Sequence, residues 1–331
     1  MIQQSLILIN ELQHENGLFS ASKKDVSTGY NKAWIRDNIY TALGLEKSAM
    51  KKAVSTYQRL LDIMLKHEHK IDWMIKQPFP KERWRYIHAR YHPGTMEEIW
   101  EEWGNKQNDA VGALLFKIGD LESKGINVLR DENDFRIIKK LVDYLNAIEY
   151  WQDADNGMWE ENEEVHASSV GACVAGLKKI NRIVDVDSKL IKLGEKALNK
   201  ILPRESETKN VDLALLSLIY PYNVVDENQK IQILENIEKY LLRKKGVVRY
   251  AGDQYYFRNA EAEWTMGLPW LAIIYKQMNM QDKYEYYMSL TMNAVNEKGE
   301  LPELYFADSE EHNENSPLGW SQSLFLVAME E

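Results

Sequence analysis

Ala167 to Leu177 reads ASSVGACVAGL, and the fold turns on this stretch. It carries no charge, and small or apolar side chains face every direction around a helix. A helix that is apolar all round must be buried on all sides, and small side chains let its neighbours approach closely. The same character recurs in Ala110–Phe116 (AVGALLF), Leu213–Ile219 (LALLSLI), Trp264–Tyr275 and Leu318–Ala328, and more weakly in Trp34–Leu45.

Between these segments lies a second kind of helix, charged with a narrow apolar stripe. In Asp226–Gly246 the stripe is Ile231, Leu234, Ile237 and Leu241, with Asp226 as N-cap and Gly246 as stop. Residues 133–150 repeat it with Ile138, Leu141, Leu145 and Ile148, and residues 2–14, 51–68, 187–202 and 281–297 are similar. About twelve helices thus alternate. One kind needs a single partner face and the other needs neighbours everywhere, which two concentric rings provide. The expected fold is all-α, an (α/α)6 barrel of six outer and six inner helices; a curved open solenoid of helical hairpins is the alternative. No linker-like or low-complexity tract interrupts the chain, so residues 1–331 are expected to form a single domain.

Composition narrows the function. Hydrophobic residues make up 44% of the chain, enough for a sizeable core. The net charge of −10 disfavours nucleic acid and anionic membrane as partners. The lone cysteine, Cys173, forms no internal disulfide and reads as a core residue. MIQQSLILINELQHENG has no basic n-region or small-residue cleavage site, and no apolar run reaches membrane-spanning length, so a cytoplasmic protein is expected. No cofactor is expected. His88 and His92 in HARYH lack a third ligand at a recognisable spacing, so no metal is expected either. Ten tryptophans and eighteen tyrosines suit a core, and also a cleft that stacks on sugar rings.

In such a barrel, every link into an inner helix opens at the same end. The unusual polar and aromatic clusters stand in those links: GYNKAWIRDN, EEIWEEWGNKQND, NGMWEENEEVH, VVRYAGDQYYFRNAEAEW and GELPELYFADSEEHNENSPLGW precede the first, second, third, fifth and sixth. Glu160 precedes the third inner helix and Glu303 the sixth, so the two face each other across the bore. Glycoside hydrolysis needs such a pair: an acid that protonates the leaving oxygen and a base that activates water from the opposite face, roughly 6.5–9.5 Å apart for inversion. Trp159 and the like charge of Glu161 would favour the protonated form of Glu160. Glu163 and Glu164 are expected in solvent.

These stretches, with GLFSAS near the N-terminus, resemble glycoside hydrolase family 15, the glucoamylase family, in order and rough spacing over nearly the whole chain. KAWIRDNIY, IHARY, DNGMWE, HASSVG and AEAEW look closer still to the glucoamylase-like domain of phosphorylase kinase α and β subunits. The resemblance implies inverting exo-hydrolysis of α-glucosides. It implies Glu160 as general acid and Glu303 as general base. Glu161 would help to bind sugar; Arg36, Asp37 and Arg249 would hold the terminal glucose; Tyr30 would sit near the attacking water. Trp34 belongs to the same motif as Arg36 and Asp37, and Trp103 and Trp320 match pocket walls. Neither the N-terminal β-sandwich of many prokaryotic members nor a carbohydrate-binding module is expected within residues 1–331. Its short loops favour a small α-linked oligosaccharide or glucoside as partner. The kinase-subunit likeness keeps open a non-catalytic, sugar-sensing domain on the same fold. A phosphorolytic enzyme would need a basic cluster near the site, and none is found there.

Overall fold

The structure, a computed structural model, describes residues 1–101 and 104–330. Its helices are α1 (Ile2–Leu12), α2 (Ile35–Leu43), α3 (Met50–Lys66), α4 (Glu68–Lys76), α5 (Asn108–Ser123), α6 (Glu132–Ala147) and α7 (Ala167–Ile180). They continue with α8 (Ser188–Ile201), α9 (Leu216–Ile219, preceded by a 3-10 turn at Leu213–Leu215), α10 (Glu227–Tyr240), α11 (Gly267–Gln277), α12 (Gln281–Ala294) and α13 (Gly319–Glu330).

The two kinds of helix sort as their side chains require. In α2, α5, α7, α9, α11 and α13 nearly every residue is buried, and these form the inner ring. Each packs on the next, and α13 packs on α2, so the ring closes and the open solenoid is excluded. Outside them α1, α3, α6, α8, α10 and α12 each pack against an inner helix. The molecule is an (α/α)6 barrel, with α4 as a further helix after α3.

Three local expectations are corrected. Ile231 on α10 is 45% exposed, and the buried stripe runs through Ile233, Leu234, Ile237 and Leu241. Asp226 does cap α10, in a capping box with Gln229. However, Gly246 is not the helix stop. α10 ends at Tyr240, and Gly246 sits in a turn whose next residue, Val247, pairs with Trp264; an added Cβ there would lie 2.5 Å from the carbonyl carbon of Glu263. Third, Trp264 is not helical. It lies in a short strand, β3 (Glu263–Trp264), antiparallel to β4 (Leu304–Tyr305), with Glu263 opposite Tyr305. An earlier pair, β1 (Ala33–Trp34) and β2 (Arg90–Tyr91), sets Trp34 opposite Arg90. Both ribbons lie at the N-terminal ends of inner helices and tie distant links together there.

The tightest inner contact is α5 on α7. A Cβ on Gly112 would lie 2.5 Å from the backbone of Ala172 and Cys173, and one on Gly176 would lie 2.4 Å from the Gly112 carbonyl oxygen. Neither helix can yield without shifting its whole backbone. Gly112→Ala is therefore expected to cost about 1–3 kcal/mol or more, as overpacking does, read as an earlier midpoint in denaturant unfolding. Gly125→Ala is the wrong control, because Gly125 has a φ of +77°; Ser123→Ala at the end of the same helix serves instead.

Candidate active site

The first turn of α2 supplies the floor. Arg36 and Asp37 are both buried. The Arg36 guanidinium donates from Nη1 to Gln107 Oε1 at 2.7 Å and to Asp109 Oδ2 at 3.1 Å, and its Nη2 lies 3.5 Å from Glu160 Oε1. Its Nε is buried and has no hydrogen-bond partner among the described residues. Burial pushes the Asp37 carboxyl up to about 7; Arg36 opposes that rise, while Glu160 and Glu303 add to it.

Glu160 stands on a hairpin that the second link clamps. Asp155 and Glu164 bridge the hairpin base, and Asp155 also accepts from the backbone N–H of Asn108 at 2.8 Å, at the start of α5. Asn156 exchanges hydrogen bonds with the Lys106 backbone on one side and holds the Glu161 carbonyl on the other. Gln107 Nε2 then donates to Glu160 Oε1 at 2.8 Å. Glu160 itself has a φ of +63°, a left-handed conformation unusual for a side chain of its size. Such strain persists only where the surroundings over-determine it, and it concentrates at functional sites.

The fourth link, which looked featureless in sequence, underpins this hairpin. Asp212, fully buried at the start of the fourth inner element, accepts from the Trp159 indole at 2.8 Å, and Lys209 holds Glu161 at 2.7 Å. Glu205 receives Ser168 and the backbone of Ala167 beneath it. Glu161 does not line the cleft. Its carboxylate is taken up by Lys209, by Arg249 at 3.0 Å and by the Tyr250 hydroxyl at 2.8 Å, so it orients Arg249 and does not act as a like charge held against Glu160.

Glu303 comes from the sixth link, on the opposite side of the ring. It is fully buried and precedes β4 directly. Oε1 accepts from the Tyr30 hydroxyl at 2.5 Å; Oε2 accepts from the amides of Asn313 at 2.5 Å and Asn315 at 2.8 Å. Burial pushes its carboxyl up from the ordinary range, and these three donors oppose the shift because they favour the charged form.

Arg249 closes the ring of polar groups. Asp253, four residues along the chain, grips it bidentately at 2.6 and 2.7 Å, and the rings of Trp159, Tyr255 and Trp264 surround its guanidinium. One cleft brings together Tyr30, Trp34, Arg36, Asp37, Trp159, Glu160, Arg249, Glu303 and Trp320. Trp103 lies outside the described residues. Sequence reasoning missed Gln107, Asn313, Asn315 and the cleft-lining Trp264. All four stood inside quoted links, the first three only as polar residues among many and Trp264 as the expected start of a helix. Among the described residues no group of three His, Cys, Asp or Glu could hold a metal ion, and no helix is long and apolar enough to cross a membrane.

A consequence for stability follows from Asp37. An unfolded aspartate titrates near pH 4, roughly, whereas the native one does so at about 7. Between those values the native state holds a proton that the unfolded chain has released. The Asp37 contribution to stability is therefore greatest at low pH, falls as pH rises from about 4 to about 7, and stays lost above that. Asp37→Asn is expected to flatten melting temperature against pH over that span and to melt above wild type on the alkaline side. A wild-type curve that is flat there would contradict it.

The chain is similar to known proteins in three ways. The rabbit (Oryctolagus cuniculus) phosphorylase b kinase regulatory subunit alpha, skeletal muscle isoform, is 26% identical over 99% of this chain. A probable alpha subunit from Caenorhabditis elegans is 25% identical over the same share. The chain spans about a third of the length of these relatives, 32% of each. Among solved structures, a wild-type glycosidase superposes with a TM-score of 0.86 at 19% identity, covering 99% of this chain and 95% of its own. The glucoamylase of Saccharomycopsis fibuligera superposes at 0.69 with 15% identity, covering 99% and 94%. At these identities the structures speak for the fold alone. The sequence profile described as "Glycosyl hydrolases family 15" matches residues 2–328, so nearly every residue that builds the barrel and its cleft falls within the match, and the chain belongs to that family.

Proposed function

We propose that this chain, as a single domain, is an inverting exo-acting α-glucosidase that releases β-glucose from the non-reducing end of short α-glucosides. The observation that carries the reading is the pair of glutamates in one cleft, delivered from opposite sides of the ring into different surroundings. Glu303 receives three hydrogen-bond donors, the setting of a carboxylate that must be ionised to take a proton from water. Glu160, on its strained hairpin, is the general acid that protonates the leaving oxygen. Asp37, Arg36 and Arg249 bind the hydroxyls of the terminal glucose, the Arg36 Nε, unpartnered among the described residues, being one donor available to them. Trp34 and Trp320 wall the ring, and Tyr30 lies beside the attacking water. Glu161 supports binding through Arg249.

A second reading has its own observation: the curated relatives are regulatory subunits of a kinase. On that reading the cleft binds a sugar without cleaving it. Glucose release from maltose, isomaltose, trehalose and maltotriose, with the anomer followed by NMR, separates the two. β-Glucose is expected as the first product. α-Glucose would reject inversion, and saturable binding with no release from any of the four would select the sensor.

A further inference from the structure

A second concavity, of about 960 Å³, has no part in this chemistry. Its walls are the C-terminal ends of the inner helices, including Leu43 of α2, Leu121 of α5, Lys179 of α7, Gln277 of α11 and Glu330 of α13. The cleft is built on the N-terminal ends of those same helices. The two openings therefore lie at opposite ends of the barrel, about 24 Å apart along the 16 residues of α5.

Its charge runs against that of the chain. Seven cations stand in the wall, with three carboxylates, Glu46, Asp120 and Glu330. Two more, Glu195 and Glu227, pair from outside the wall with Lys178 and Lys230 at 2.7 and 2.6 Å. Among the side chains of the described residues this leaves an excess of two positive charges at the wall, in a protein of net charge −10. Asp120 alone carries three ammonium groups: Lys124 and Lys179 at 2.8 Å and Lys117 at 3.5 Å. Lys117 is buried, with its other contact to Glu46 at 2.8 Å. Arg182, exposed at the rim, makes no ion pair among the described residues. Carbonyl ends of the inner helices draw cations here too, each end being worth about half a negative charge. That attraction accounts for lysines at helix ends but leaves the open volume among them unexplained. Phe116, Tyr220 and Tyr222 add flat faces to the wall, of the kind on which a sugar ring packs.

We propose that this cavity binds a small phosphate monoester of a sugar or similar polyol. The phosphate, close to a dianion near neutral pH, sits among Lys117, Lys124, Lys179 and Arg182, and the polyol lies against the aromatic rings. The site is independent of the reading of the cleft and leaves the cleft open.

Calorimetric titration of the whole chain with glucose 6-phosphate, glucose 1-phosphate and inorganic phosphate tests it, with glucose and sodium chloride of matched ionic strength as controls. Saturable binding of at least one sugar phosphate, tighter than that of inorganic phosphate, is expected. The surface variant Arg182→Glu, which leaves the buried Lys117–Asp120 pair intact, should weaken it at least tenfold. Lys117→Met should abolish it, with circular dichroism checking that the variant folds. Glu160→Gln should leave it unchanged. Three outcomes would overturn the proposal: no saturable binding of any phosphate, a heat that sodium chloride reproduces, or binding lost in Glu160→Gln but kept in Arg182→Glu. The second would mean that the cations only neutralise helix ends; the third would put the phosphate in the cleft.

Discussion

Glu160→Gln should lower turnover of maltose by about 100- to 10,000-fold, the usual contribution of general acid–base catalysis, with glucose affinity retained. The amide keeps the shape of the side chain and can still meet Gln107 and Arg36, but it has no proton to give to the leaving oxygen. A nitrophenyl α-glucoside, whose leaving group departs with little protonation, should recover much of the loss. That recovery distinguishes a missing acid from a collapsed hairpin, because a misplaced loop would spoil both substrates alike. Retained maltose turnover would remove Glu160 from the acid role.

Glu303→Gln should cost a comparable factor, and the activated substrate should not rescue it, since this variant fails at the attacking water. The opposite rescue pattern would exchange the two roles. Tyr30→Phe supplies a graded version. Tyr30 donates to Glu303 Oε1 at 2.5 Å and so favours the carboxylate. Burial already holds the Glu303 carboxyl above its ordinary range. With one donor removed, the pKa rises further, and the base is ionised only at higher pH. The acid limb of kcat/KM against pH should therefore move upward in Tyr30→Phe while activity on the alkaline side stays near wild type. A uniform loss at all pH values would make Tyr30 a structural residue only.

Much of this was legible before any fold was known. The alternation of one-sided and all-apolar helices is a statement about how many buried faces each segment needs, and rings are the arrangement that supplies them. Hence α7, α11 and α13 fell close to where their composition put them, and the five decorated links did gather at one end. Local periodicity failed where a segment answers to something distant. Trp264 reads as the start of an apolar helix, yet it is a strand residue because Leu304 lies opposite it. Ile231 fits a helical stripe by spacing alone, but it faces away from the inner ring and is exposed.

The site divides in the same way. Residue type and order within the links singled out Glu160, Glu303, Arg36, Asp37 and Arg249, because carboxylates and guanidinium groups beside tryptophans carry their chemistry in their identity. What each one meets was decided by the closed barrel. Glu161 looked like a like charge against Glu160, but Lys209 from the fourth link and Arg249 and Tyr250 from the fifth turn it away. Gln107, Asn313, Asn315 and Asp212 carry no chemistry until a partner far along the chain stands within hydrogen-bond reach. A sequence determines which groups are available and which faces must be buried. Only the tertiary structure decides which distant groups share a hydrogen bond, since that depends on ring closure and on the short ribbons that tie one link to another.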